Sequence, residues 1–258
     1  MDLSQLTQMN PDRPRRLRRP LRKFILDAFA QSCPAPIRLV QVGANDGKLA
    51  DPVYPHIVAG NWTGMLIEPH PVYFEELQAR HADRPALTLC NLAISDVPGT
   101  LELFHLNEAA RSRYMGDVRG CASFERSRMV DALQRSSKRK NIPVEDGDVA
   151  CTKVAVERLD TVLQQQGMTH ADILVVDVEG HELTVLRSFD LGAMNPRLAI
   201  IECNGAGVGD EGDITEILRA AGLSVSRFGD DLIGIRPGAI TIPLEAMLHF
   251  LRIDQVVP

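Results

Sequence analysis

The sequence predicts an α/β fold in which helices cover both faces of a mostly parallel, Rossmann-like sheet. Short continuous apolar runs alternate with amphipathic helical segments, which is the pattern of buried parallel strands joined by crossover helices. Two later runs flank Gly229-Asp230-Asp231, a pattern that indicates an antiparallel hairpin. The length of 258 residues suits one large domain, or one domain with an insertion.

Composition excludes several classes of protein. Apolar residues make up 45% of the chain and charged residues 24%, which is ordinary for a globular protein and unlike a disordered or collagen-like one. No apolar run approaches the roughly 18 residues that span a bilayer, so we expect no transmembrane segment. The net charge of −6 argues against a dedicated nucleic-acid binder, whose surface is usually basic.

The five cysteines are widely spaced, odd in number and without a CxxC pair. This spacing argues against a zinc site or a disulfide framework and favours free thiols in a reducing compartment. The N-terminus lacks the apolar core of a secretory signal. We therefore expect a cytoplasmic protein, while the oligomeric state stays open.

Residues 1–36 are predicted to form a basic amphipathic helix followed by a linker. Leu21, Ile25 and Ala28 recur at helical spacing among the arginines of residues 15–30. We expect this apolar face to dock on the domain that begins at residue 37, while contact of the basic face with an anionic ligand or a membrane surface is the alternative.

Five apolar runs are predicted to be the parallel strands. They cover residues 37–42, 65–67, 86–90, 173–176 and 198–201, and the hairpin adds 223–228 and 232–235. Helical patterns lie between most of them, at 71–81, 157–166, 181–190 and 213–221.

Residues 99–156 depart from this alternation. Strand patterns at 100–106 and 151–156 flank a polar, arginine-rich stretch with a predicted helix at 125–137. We interpret residues 107–150 as an insertion that emerges from one edge of the sheet and serves as a lid or substrate-binding surface; a passive surface loop is the alternative.

Candidate ligand-binding residues follow the predicted strands, because open parallel sheets bind ligands beyond the carboxyl ends of their strands. The first predicted strand is followed by the glycine loop Gly43-Ala44-Asn45-Asp46-Gly47. Three later strands are followed by acids, which are Glu68, Asp177 and Glu202. The loop fits a dinucleotide fingerprint poorly, since Asn45 and Lys48 stand where small residues are needed, and it lacks the spacing of a P-loop. S-adenosylmethionine has no phosphates and needs only close backbone approach, which glycine permits.

Several further motifs occur in a fixed order around this loop. They are Gln41–Gly47, Ile67-Glu68-Pro69 with Phe74 and Leu77, Asn91–Ser95, Ala122-Ser123-Phe124, Arg158-Leu159-Asp160, Asp177–Glu182 and Ile201-Glu202. In this order the chain resembles the FkbM family of S-adenosylmethionine-dependent methyltransferases over residues 37–236. The resemblance implies a class I methyltransferase, a three-layer sandwich with a mostly parallel seven-stranded sheet and a C-terminal antiparallel hairpin, within residues 37–258.

The resemblance also implies roles in binding S-adenosylmethionine. Gly43, Asn45 and Asp46 would line the methionine end and Glu68 would bind the ribose. Asn91 and Ala93 would border the adenine, and Ser123 would approach the cofactor or the substrate. Gln41 stands where many class I enzymes carry an acidic residue, and we count it with the cofactor-binding set.

The segment from Asp177 to Glu182 is the predicted reaction centre. His181 is the candidate base, because an imidazole accepts a proton near pH 7, with Asp177 orienting the acceptor or stabilising the imidazolium. Glu179 belongs to the same catalytic set, whereas Glu182 suits the first helical turn. Asp177, Glu202 and Asn204 could instead hold a divalent metal, but the sequence does not require one.

The predicted function is that of an S-adenosylmethionine-dependent O-methyltransferase acting on a hydroxyl of a small-molecule acceptor. The resemblance suggests a sugar, a glycolipid or a polyketide-like metabolite. A non-catalytic binding module with the same fold is the first alternative. A nicotinamide-dependent dehydrogenase is the second, and the missing GxGxxG argues against it.

Overall fold

The computed structural model describes residues 14–60, 62–114, 118–140, 142–203 and 210–242. Its main sheet has seven strands, each built on one of the apolar runs. They are β1 (Ile37–Val42), β2 (Trp62–Ile67), β3 (Leu87–Cys90), β7 (Ile173–Val176), β8 (Leu198–Glu202), β9 (Ser224–Phe228) and β10 (Asp231–Ile235).

The structure has eight α-helices in its described residues. They are α1 (Pro14–Ser32), α2 (Tyr54–Ala59), α3 (Pro71–Arg80), α4 (Arg126–Lys140), α5 (Leu159–Gln165), α6 (Glu182–Arg187), α7 (Leu191–Met194) and α8 (Asp210–Ala220). All but α4, which belongs to the insertion, pack on the two faces of the main sheet. In the part of the chain that the structure describes, no helix is both long enough and apolar enough to cross a membrane.

The strand order is β3-β2-β1-β7-β8-β10-β9. Strands β1, β2, β3, β7 and β8 pair in parallel, and β10 enters antiparallel between β8 and β9. The order reverses direction between β1 and β7, so the topological switch point lies where those two strands end. The predicted fold class, a mostly parallel seven-stranded sheet with a C-terminal antiparallel hairpin, is confirmed.

The insertion is carried by a second sheet, and this sheet was not predicted from the sequence. It has three strands in the order β4-β6-β5: β4 (Ala93–Ile94), β5 (Gly99–Leu106) and β6 (Val149–Glu157). The chain leaves the main sheet after its edge strand β3, as expected, but β5 and β6 pair with each other over eight residues instead of joining that sheet. Residues 107–148, between β5 and β6, are therefore attached to this second sheet, beside the carboxyl ends of the main strands.

Two apolar cores hold the main sheet, one on each face. Helix α1 packs into one of them through Leu21, Ile25, Leu26 and Phe29 against β1 and its neighbours. The apolar face predicted in the sequence thus docks on the sheet, whereas the division of the chain at residue 36 stays a prediction.

Candidate functional site

A cavity of about 880 Å³ opens at the carboxyl ends of β1, β2, β7 and β8. Its size is within the range of small-molecule sites, about 300–1,000 Å³. Of the residues predicted to form the site, nine line this cavity: Gln41, Gly43, Asn45, Glu68, Ala93, Ser123, Asp177, Glu179 and Glu202. Asp46, Asn91 and His181 are not among the lining residues. Asn204 lies outside the described residues.

Gly43 begins the loop after β1 in a conformation that only glycine adopts readily, with φ at +86°. Its N–H donates to the carbonyl of Ile67 at 3.0 Å, which ties the loop to the end of β2. A Cβ at this position would stand 1.8 Å from the carbonyl oxygen of Asp177. The missing side chain therefore lets the ends of β1 and β7 approach closely at the switch point.

Glu68 fixes the conformation of the glycine loop from the end of β2. Its Oε2 accepts from the backbone N–H of Asn45 at 2.8 Å, and its Oε1 accepts from the N–H of His70 at 2.8 Å. The residue is only 5% exposed, and burial raises the pKa of its carboxyl to about 7 despite these hydrogen bonds. Since Glu68 also lines the cavity, it combines support of the loop with a polar surface for a ligand.

Asp46 supports the same loop from behind. Its Oδ1 accepts from the N–H groups of Lys48 and Leu49 at 2.9 and 2.6 Å, and its Oδ2 pairs with Arg80 at 3.0 Å. These hydrogen bonds and the neighbouring arginines hold the pKa of Asp46 below its usual range, although burial opposes them. Its role in the structure is thus to shape the loop.

Asn91 stabilises the turn after β2 and does not line the cavity. Its side-chain amide donates to the carbonyls of Glu68 and Pro69 at 2.9 and 3.2 Å, while Leu92 and Ala93 beside it line the wall. Ser123 lines another part of the wall, and its hydroxyl donates to the carbonyl of Glu179 at 2.9 Å.

Three carboxylates form an acidic cluster at the ends of β7 and β8: Asp177, Glu179 and Glu202. Oxygen atoms of the three lie within 4.8 Å of one another, and Asp177 shares a hydrogen bond with Glu202. Burial, reinforced by repulsion from neighbouring acids, raises the pKa of Asp177 to about 6 and that of Glu179 to about 8. Such a group of oxygens suits either a shared proton or a hard divalent cation.

His181 faces away from the acidic cluster. Its Nε2 lies 3.1 Å from the hydroxyl of Ser95, and its ring packs edge-on against Phe124 with the centroids 5.0 Å apart. Burial lowers the pKa of the imidazole. The strand-to-helix turn, with Glu179 at φ +52° and Gly180 at φ +106°, directs neighbouring side chains to different sides.

Glu182 turns back onto the start of α6. Its Oε1 accepts from the N–H groups of Val178 and Gly180 at 3.2 and 3.0 Å. This is the helix-start role considered for Glu182 in the sequence, where a negative charge is favourable.

Among the other residues that line the cavity are Arg22, Asp51, Tyr73 and Asp231, which sequence reasoning did not select. Arg22 comes from α1, where one arginine could not be singled out from its basic neighbours. Asp231 starts β10, and the sequence presented it only as part of a hairpin turn. The signal that could have found Tyr73 is its position in the first turn of α3, directly after the motif that ends in Pro69.

The residues around the cavity fit S-adenosylmethionine. A cationic sulfonium suits a wall that carries several buried acids, and a nucleoside needs hydroxyl-binding groups such as Glu68. Gln41 Oε1 is buried without a hydrogen-bond partner among the described residues, so the wall has a polar atom that a ligand would satisfy.

A seven-stranded sheet of this order, with a glycine loop after its first strand and an acid after its second, defines the class I S-adenosylmethionine-dependent methyltransferases. The sequence profile of the Methyltransferase FkbM domain matches residues 41–225. The chain belongs to this family, which confirms the resemblance seen in the sequence. It is accordingly an S-adenosylmethionine-dependent methyltransferase.

The solved structures that match the chain share little sequence with it. One is a ribosomal protein L11 methylase from Lactobacillus delbrueckii subsp. bulgaricus, with 10% identity over 82% of this chain and 74% of that one and a TM-score of 0.38. The fibrillarin pre-rRNA processing protein of Methanococcus jannaschii has 13% identity over 83% and 75%, and a TM-score of 0.38. A precorrin-6y C5,15-methyltransferase from Geobacter metallireducens GS-15 has 8% identity over 84% and 86%, and a TM-score of 0.38. No curated protein matches the sequence significantly.

Proposed function

We propose that the protein transfers a methyl group from S-adenosylmethionine to a hydroxyl of a small molecule such as a sugar, a glycolipid or a polyketide-like metabolite. The observation that carries this proposal is the acidic cluster on the cavity wall, because an aliphatic hydroxyl needs help to lose its proton. The cavity also has room for a second ligand beside the cofactor in its 880 Å³. The five cysteines are all free, which accords with a cytoplasmic location.

S-adenosylmethionine supplies a methyl group that is already activated on a sulfonium. The protein then has to align the acceptor oxygen with that group and accept the hydroxyl proton. In this proposal the loop at Gly43 and Asn45 holds the methionine end, Glu68 binds the ribose, and Ala93 borders the adenine.

We assign proton acceptance to the acidic cluster rather than to His181, because His181 does not line the cavity and its Nε2 faces Ser95. Glu179 is the preferred base. Its raised pKa of about 8 makes it a stronger proton acceptor than an ordinary carboxylate, and Ser123 holds its backbone carbonyl. Asp177, hydrogen-bonded to Glu202, would orient the acceptor.

A divalent cation on the acidic cluster is the rival arrangement. Three carboxylates with oxygens within 4.8 Å of one another are suitable ligands for a hard cation, which would acidify the acceptor hydroxyl directly. The donor set would then be Asp177, Glu179 and Glu202, with Glu179 taking the place that the sequence gave to Asn204.

The test of the proposed function uses S-adenosylmethionine with a labelled methyl group and a panel of sugars, glycolipids and polyketides. We expect label in a methyl ether. For the best acceptor, Glu179→Gln should lower kcat by roughly 100-fold or more, the usual worth of a general base, while His181→Ala stays within a few-fold of wild type. If Glu179→Gln turns over normally, this base assignment fails. If EDTA abolishes turnover and Mg²⁺ restores it, the cation arrangement replaces it.

The same assay separates the enzyme from a binding module. Tight binding of S-adenosylhomocysteine without transfer to any hydroxylated compound would favour the non-catalytic alternative. Label in an amine or a carboxylic ester would contradict O-methylation of a hydroxyl while leaving the family assignment intact.

A further inference from the structure

Arg22 is the only cation among the described residues that line the cavity. Helix α1 delivers it, because the adjacent Leu21 and the residue one turn on, Ile25, are buried in the core against the sheet. The guanidinium Nη1 lies 3.5 Å from Oδ2 of Asp231, and the Arg22 side chain is 13% exposed. A guanidinium carries five N–H donors, more than this one ion pair uses, so Arg22 can bind a further anionic group.

Two buried acceptor atoms belong to the same part of the wall. Gln41, at the end of β1, is 3% exposed, and its Oε1 is buried without a hydrogen-bond partner among the described residues. Asp51, in the loop before α2, accepts from the N–H of Val53 through Oδ1 at 2.8 Å and shares a side-chain hydrogen bond with Gln41. Burial raises the pKa of Asp51, although Arg22 is close enough to lower it. A buried acceptor left unsatisfied is costly, which indicates that a ligand supplies hydrogen-bond donors at this point.

One cation, the orphaned acceptor of Gln41 and the carboxylate of Asp51 complement a group that carries an anion and several donors together. We propose that Arg22 binds the α-carboxylate of the methionine moiety of S-adenosylmethionine, and that Gln41 and Asp51 accept hydrogen bonds from its α-ammonium. This inference rests on the proposed function, since it takes the cavity to be the cofactor site. It adds Arg22 as a positioning residue for methyl transfer, supplied by a helix that lies before the family-matched residues 41–225.

The chemistry of the ligand makes the assignment testable without turnover. S-adenosylhomocysteine carries both the α-carboxylate and the α-ammonium. 5′-Deoxy-5′-methylthioadenosine keeps the adenine, the ribose and the thioether but lacks both charged groups. Substitution of a residue that binds the charged groups should therefore weaken only S-adenosylhomocysteine. Substitution of a residue that merely supports the fold should weaken both ligands alike.

The experiment measures the affinity of the full chain for both ligands by calorimetry. Arg22→Met should weaken S-adenosylhomocysteine by roughly 10- to 100-fold, as expected for a lost charge-assisted hydrogen bond, and change methylthioadenosine by less than about 3-fold. Gln41→Met should act in the same direction, and it keeps the test decisive if Arg22→Met fails to fold. Lys23→Met is the matched control, because Lys23 is exposed on the same helix and pairs with Asp27.

Equal losses for both ligands would overturn the proposal and leave Arg22 as a support for α1. Unchanged affinity for S-adenosylhomocysteine together with a raised KM for the acceptor would also overturn it and would place Arg22 in the acceptor site. If the wild-type chain binds neither ligand, the proposed function itself fails, a result distinct from a variant-specific loss.

Discussion

At the scale of single residues, Glu68 links the backbone of the site to its ligand surface. Its two oxygens each accept a backbone N–H, one from the glycine loop and one from the turn into α3. The same carboxylate lines the cavity. The shape of the loop and the proposed recognition of the ribose therefore depend on one side chain.

Glu68→Gln should weaken S-adenosylhomocysteine by roughly 10- to 150-fold, because an amide has one acceptor oxygen and cannot keep both N–H groups and the ribose satisfied. Methylthioadenosine should lose affinity to a similar extent, since it carries the same ribose. Calorimetry on both ligands measures this, and Glu75→Gln on the exposed side of α3 is the control. Unchanged affinity in Glu68→Gln would remove Glu68 from the ribose site.

At the residue scale, the sequence could bring residues together where the chain topology alone decides their position. Glu68, Asp177 and Glu202 each follow or end a parallel strand, and such ends meet at one rim whatever the side chains between them do. Arg22 and Asp231 were beyond such reasoning. Their meeting depends on how α1 and β10 pack, and no local pattern in the sequence encodes it.

At the scale of elements, the insertion is a small folded unit that forms part of the cavity wall. It has its own apolar core, which includes Leu106, Tyr114, Met129 and Leu133. The hydroxyl of Tyr114 donates to Asp148 at 2.8 Å, which joins the two ends of the unit. Gly120, Ala122, Ser123 and Phe124 from this unit line the cavity.

Arg119 joins this unit to the body of the enzyme. Its Nη2 lies 2.5 Å from Oε2 of Glu76 on α3, its Nη1 lies 4.0 Å from Oδ2 of Asp46, and its guanidinium stacks over Tyr73 at 4.4 Å. The residue is 8% exposed. Because Asp46 shapes the glycine loop and Tyr73 lines the cavity, this contact ties the insertion to the glycine loop and the cavity wall.

Arg119→Met should loosen the segment 118–124 without unfolding the sheet. Losing the buried ion pair should lower the free energy of local opening by roughly 1–3 kcal/mol, which speeds amide exchange there about 5- to 150-fold. Hydrogen exchange with mass spectrometry measures it, with and without S-adenosylhomocysteine. Arg111→Met is the control, since Arg111 is exposed and reaches Glu76 only at 3.8 Å. Equal exchange in the two variants would show that Arg119 does not hold the insertion.

Elements with strong patterns were predicted well, and short ones were not. The runs 37–42 and 173–176 match β1 and β7 at both ends, because a continuous apolar strand is bounded by glycine or an acid. Strand β4, with two residues, and helix α2, with six, are too short to show a period. The second sheet was not predicted, because a strand pattern does not indicate which other strand it pairs with. Strands β5 and β6 are separated by about forty residues of the insertion.

At the scale of the whole molecule, the site determines how stability depends on pH. Burial raises the pKa of Glu68 to about 7 and that of Glu179 to about 8, above the value of 4.5 for a free glutamate. Between pH 6.5 and 8 the folded protein therefore holds protons that the unfolded chain has already released. Stability rises with pH only where the unfolded state binds more protons, so here it falls as the pH rises.

We expect Glu68 and Glu179 together to lower the stability of the ligand-free protein by about 2 kcal/mol between pH 6.5 and 8, since each pKa unit is worth about 1.4 kcal/mol. A loss of about 2 kcal/mol corresponds to a fall in Tm of roughly 4–8 °C. Burial lowers the pKa values of His56, His70, His81 and His181, so these histidines offset part of the loss near pH 6.5. Glu179→Gln should remove more than half of the glutamates' contribution, and Glu75→Gln should keep all of it. Thermal unfolding by circular dichroism measures all three proteins. Identical profiles in the wild type and Glu179→Gln would show that Glu179 ionises normally.

The ion pair between Arg22 and Asp231 joins the first helix to the last described strand, and this has a consequence for synthesis on the ribosome. Helix α1 leaves the ribosome before β10, which follows more than 190 residues later. Until then Arg22 lacks its carboxylate partner, and the position between β8 and β9 is empty. A nascent chain stalled before residue 231 thus lacks one wall of the cavity, so ligand binding begins only after β10 has been synthesised.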